Sequence, residues 1–167
     1  MGVLDELLHL KVFREEKAER AVGAGRDALS RAARQEQQAE DALADYRDWS
    51  ERHERQLFDA VCRRPVQSRD LEWLREDVNA LRFKEGELDQ LHQQAGRHRG
   101  EAETALQSLR QAHDAALRVR GKFQQLADAA AEVERLEVER REDAEAEERS
   151  FAPRAETMDI GGDGDDH

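Results

Sequence analysis

Pro65 is the one proline among the first 152 residues of this chain. A proline has no amide hydrogen to give a helix, its ring clashes with the preceding turn, and it pushes the residue before it away from helical dihedrals. On both sides of it the sequence reads as helix. Alternating steps of three and four from Leu8 reach Lys11, Glu15, Ala18, Val22, Gly25 and so on through Leu43, Tyr46, Ser50 and His53 to Ala60. Ten of these sixteen positions are apolar, and the residues between them are mostly Glu, Arg, Gln and Asp. That is a coiled-coil seam with polar interruptions. A second seam runs from Leu71 through Leu74, Val78, Leu81, His92, Arg99, Leu106 and His113 to Ala116. It then slips to Val119, Phe123, Leu126, Ala130 and Val133, a shift that locally changes the winding, and it fades beyond Leu136 and Val138.

The proline therefore separates two helices. The first is expected over about 3–62, a tip over 63–67, and the second over about 68–150, with Ser68 as its N-cap and Asp70 and Glu72 in its first turn. So short a connection makes the helices antiparallel neighbours. The fold class is all-α: one long antiparallel two-helix coiled-coil hairpin over residues 1–152. At 1.5 Å per residue the helices are roughly 90 and 125 Å long, so the second overhangs by about 20 residues beside the termini. Folding about Pro65 pairs residues whose numbers sum to about 131, which sets Gly23 and Gly25 near Leu106 and Leu109, and Gly86 near Tyr46. Pro153 and the closing GGDGDDH read as a disordered acidic tail over 153–167.

Composition narrows the function. Charged residues make up 40% of the chain and aromatics 5%, too little apolar material for an ordinary globular core. The net charge of −12 argues against nucleic acid and anionic membrane as partners. No run approaches the roughly 20 apolar residues of a membrane span. The start, MGVLDELLHLK, carries acids where a secretory signal is basic, so a cytoplasmic location is expected. Cys62 is the only cysteine, which excludes an internal disulfide and suits a reducing compartment. No phosphate-binding glycine motif, cysteine pair or H-E-x-x-H is present. His92 and His98 sit on different helix faces without an i+4 partner. Carboxylates are abundant, but two helices offer no concave site to desolvate them. No enzyme, cofactor or metal site is expected.

Three features rise above this background. The tip gathers Val66, Leu71, Trp73 and Leu74 among Arg63, Arg64, Arg69 and Arg75; Trp73 lies off the seam and either closes the hairpin end or anchors a partner, a role in which Trp and Arg are enriched. Trp49, beside Tyr46, fits packing along the flank of helix two. The run LLHLKVFREEKAERAV has more apolar residues, at 4, 7, 8, 10, 12 and 13, than one seam buries. A partner around that end accounts for the excess. Charge is uneven too: residues 1–34 are near neutral, whereas 132–148 hold nine carboxylates and three arginines, a net of −6.

This layout resembles the stalk proteins of type III secretion, the YscO/FliJ family. The opening Leu7, Leu10, Lys11, Arg14, Glu15, Ala18 and Ala21 is similar to that family's N-terminal pattern, and RPVQSRDLEWLREDVNALRFKEGEL to its tip and leucine-rich second helix. The acidic stretch closing on Phe151 and Pro153 also looks like the family; the Gly/Asp tail departs from it. The resemblance implies a shaft like that of rotary ATPases. Its termini would enter the ring of a hexameric secretion ATPase through Leu7, Leu10, Lys11, Arg14 and Glu15. Its tip would face an export gate protein through Arg69, Leu71, Trp73, Leu74 and Arg75. Some members bind secretion chaperones. Two other readings of a hairpin are a client-holding coiled-coil chaperone, which should oligomerise through a base domain this chain lacks, and a passive spacer, which needs no special tip.

Overall fold

The computed structural model describes residues 2–151. It contains two helices, α1 (Val3–Cys62) and α2 (Ser68–Phe151), packed along each other as an antiparallel hairpin. Each helix starts with the same device. At α1, the Gly2 amide donates to the Asp5 carboxylate (3.1 Å) while Gly2 C=O accepts from the Asp5 and Glu6 amides. At α2, the Gln67 amide donates to Asp70 Oδ2 (3.1 Å) and Gln67 C=O accepts from Asp70 and Leu71. The α2 cap is thus Gln67 with Asp70 reaching back, not Ser68, which is already helical. An acid three residues into a helix satisfies an orphan amide and lies well in the helix dipole. Arg64 closes the tip on the same carboxylate, donating to Asp70 Oδ1 at 3.0 Å.

The seam is narrow. Its buried apolar residues are Val22, Ala32, Leu43, Leu74, Leu81 and Leu106, each contributing about 2 kcal/mol at most. Polar ties fix the register. Tyr46 donates its hydroxyl to Leu81 C=O at 3.2 Å, Arg47 and Arg82 donate to Glu85 and Glu54 across the helices, and Arg99 donates to Glu36. The facing numbers add to 127 for Tyr46 with Leu81 and 136 for Glu54 with Arg82. Gly25 packs under α2: a Cβ there would lie 2.8 Å from Leu109 Cδ1 and 3.3 Å from Leu106 Cδ1.

Two local expectations fail. A Cβ on Gly86 would meet open space, so it makes no room for Tyr46; the tyrosine instead leans toward the tip to reach Leu81. Leu71 is exposed, because the seam at the tip starts one turn later, at Leu74. Trp49, 47% exposed, stacks on His53 at 4.8 Å and tilts against Tyr46 at 5.6 Å. The expected acidic tail, 153–167, lies outside the described residues.

α1 starts at Val3, which the register sets opposite Asp128. From Asp128 to Phe151 every residue of α2 is exposed. These 24 residues extend roughly 36 Å beyond the paired shaft. Among the described residues they are stiffened only by pairs within the helix, such as Arg135 with Glu132 and Glu139, and Arg149 with Glu145.

Candidate functional site

The candidate surfaces lie at the two ends of the rod. At the terminal end Leu4, Leu8, Lys11 and Val12 are half-buried against α2. Lys11 Nζ sits 5.0 Å above the Phe123 ring, a cation–π contact. Leu7, Leu10, Phe13 and Arg14 face outward. Arg14 overlooks an open groove with Lys11, Ala115, Ala116 and Val119 along its walls. Glu15 behaves differently from its neighbours. It is only 6% exposed, with His113 Nε2 3.0 Å from Oε1 and Arg120 donating to Oε2 at 2.9 Å. The hydrogen bond from His113, and then that from Arg120, outweigh the opposing effect of burial and hold the carboxyl below its ordinary range. Of the five residues expected at this end, Leu7, Leu10 and Arg14 form a surface, Lys11 is half spent on Phe123, and Glu15 is locked inside the shaft.

At the tip, Leu74 is buried and Trp73 is 55% exposed. Trp73 lines a groove with Leu57, Ala60, Val61 and Leu74, together with Arg64, Asp70 and Asp77. Leu71, Val66, Arg69 and Arg75 are exposed around it. The expected tip residues are therefore together at one end, with Leu74 buried rather than on the surface.

Between the ends the rod is polar. On α1 the large exposed apolar residues stop at Phe13 and resume at Trp49; on α2 they stop at Leu91 and resume at Leu117. Among the described residues no group of three or more His, Cys, Asp or Glu could hold a metal ion, and none of the helices is long and apolar enough to cross a membrane.

The family model for type III secretion protein YscO matches residues 4–151, that is, both helices and the tip. The chain belongs to the YscO family of type III secretion proteins. The fold agrees. A crystal structure of YscO from Vibrio parahaemolyticus is similar with a TM-score of 0.77 and 27% identity, over 89% of this chain and 92% of that one. Among curated protein sequences nothing matches. A role in type III secretion follows, and it gives the two apolar ends of this YscO-family rod a context.

Sequence reasoning missed two groups in this YscO-family chain. His113 and Glu15 both lie on seams and face each other by register, so their contact was available from spacing. Arg120 lies one residue past the slipped seam at Val119, and its reach to Glu15 depends on the local winding there. Phe83, 70% exposed on the outer side of α2, carries no periodic signal at all.

Proposed function

We propose that this protein is the central stalk of a type III secretion system, joining the hexameric export ATPase at its terminal end to the export gate at its tip, on the cytoplasmic face of the apparatus. The observation that supports it best is the distribution of large exposed apolar side chains, which are absent between Phe13 and Trp49 on α1 and between Leu91 and Leu117 on α2 and so fall on either side of a bare middle stretch of the rod. A passive spacer needs no such ends. A client-holding chaperone needs a base that gathers several chains. A stalk needs two docking ends and a stiff, polar shaft. Secretion chaperones, which some members of the family bind, are further candidate partners; the outer faces of the shaft offer them room.

The test separates the ends. A pull-down of the full chain with its system's ATPase should succeed for wild type and drop at least tenfold for Lys11→Glu with Arg14→Glu, while helicity by circular dichroism is unchanged. Trp73→Ala with Arg75→Ala should keep ATPase binding and abolish secretion. An anchor residue typically costs about 2 kcal/mol or more when truncated, roughly a thirtyfold loss of affinity. Normal secretion by the stably folded tip variant would return Trp73 to the role of a hairpin end-cap.

A further inference from the structure

Two surfaces lack partners among the described residues, and they are complementary. The first is the overhang of α2. Leu126, Ala130 and Val133 continue the seam toward and past the start of α1, where no helix among the described residues covers it. Residues 132–148 around it carry a net charge of −6. Glu134 and Glu137 form no ion pair among the described residues, unlike Glu132 and Glu139, which Arg135 holds.

The second surface is the flank of the shaft beside the Arg14 groove. Leu10 and Leu7 lie one and two turns from Arg14 on the same face of α1, and Lys17 one turn the other way. On α2, Arg118 and Lys122 follow Ala115 and Val119 at helical spacing. Leu7, Leu10 and Val119 are exposed, as are Arg14, Lys17, Arg118 and Lys122. None of these four cations pairs with a carboxylate among the described residues. A basic, apolar groove is unusual on a chain of net charge −12.

The two surfaces cannot meet within one molecule. α2 is a single helix from Ser68 to Phe151, so the overhang points away from the groove. Overhang against overhang would oppose two charges of −6. Two chains sliding past each other in antiparallel fashion, about a two-fold axis close to Ala127, instead lay each overhang along the other's groove. That register brings Val133 to the height of Leu10, and Glu137 to that of Arg14. We infer that the free protein pairs end to end with a second copy of itself, overhang into groove in both directions. The surfaces and charges of this chain carry the inference without the stalk reading. One consequence bears on that reading: self-pairing and any docking of the terminal end use the same surface and exclude each other.

Sedimentation and small-angle scattering of the full chain test this at about 0.05 and 0.5 M salt, between which screening of exposed charges becomes severe. At low salt the expected particle is a dimer roughly 180 Å long, two helices of about 125 Å overlapping by their ends; at high salt it should dissociate at least tenfold more readily. Arg14→Glu with Lys122→Glu should yield monomers, and so should Glu134→Lys with Glu137→Lys. Mixing the two variants should restore the long dimer, because each reversed surface then meets an opposite one. The inference is overturned by a wild type that stays monomeric at about 0.05 M salt, by a dimer no longer than one chain, or by variants that remain apart when mixed while each keeps wild-type helicity.

Discussion

The paired shaft and the overhang are the same helix under two regimes. Up to about Ala127, α2 is held by side chains sunk into α1; beyond it, the helix persists with every side chain in solvent. Composition shifts at the boundary as well: residues 68–127 hold nine leucines and are net neutral, whereas 128–151 hold one leucine and a net charge of −6. The source of order changes with it. In the shaft, burial and cross-helix ties fix both the helix and its register. In the overhang only propensity and intrahelical ion pairs act, worth a few tenths of a kcal/mol each. In proteins most helical stability comes from tertiary packing rather than from propensity. The overhang is therefore the part of the rod most readily reshaped by whatever binds it.

The sharpest way to break that contrast is to truncate one residue on each side. Leu106 is among the least exposed side chains of the shaft, and Leu106→Ala should cost about 3 kcal/mol in denaturant unfolding. Val133→Ala, in the overhang, should change stability by less than about 0.5 kcal/mol at concentrations where the chain is monomeric. Equal costs would mean that the overhang is packed in the free protein.

Acid should find the shaft's weak point at Glu15. Its carboxyl is held below the ordinary value of 4.5, so the native state favours the ionised form. The stabilisation is fully present above pH 4.5 and is lost as pH falls through the lower native value. Wild type should therefore lose stability on acidification below pH 4.5 more steeply than Glu15→Gln, which has no proton to take up. Parallel acid titrations of the two, followed by ellipticity at 222 nm, would show the His113–Glu15–Arg120 contact to be idle. The overhang, whose carboxylates lie in solvent, should add nothing to the difference.

How much of this was legible beforehand follows the same division. The hairpin was readable because Pro65 is the lone break in two long periodic runs, and the Gly25 contact because the register follows from the fold. The α2 cap departs from what residue type suggests: Ser68 is a good capping residue, but Asp70 reaches back to Gln67 with a stronger acceptor. Leu71 is exposed although it continues the periodic run, because the seam at the tip starts only at Leu74. At the candidate sites, the outward aim of Leu7 and Leu10 was implicit in the excess of apolar residues. The burial of Glu15 was not, since a glutamate on a seam looks like an interruption until Arg120, from outside the seam, is seen to meet it.

The smallest effect separates packing from propensity two residues apart. Gly23 and Gly25 both sit inside α1, where glycine costs about 1 kcal/mol relative to alanine. A Cβ on Gly23 meets nothing within 4 Å, so Gly23→Ala should gain about 1 kcal/mol. A Cβ on Gly25 would lie 2.8 Å from Leu109 Cδ1. That carbon ends a flexible side chain and can give way, but Leu106 Cδ1 at 3.3 Å crowds the same space, and overpacking costs about 1–3 kcal/mol. Gly25→Ala should therefore show none of the gain, and thermal unfolding of the pair is the measurement. If both variants were stabilised alike, Leu106 and Leu109 would not be pressed onto Gly25, and the shaft at that height would be held, like the overhang, by helix propensity alone.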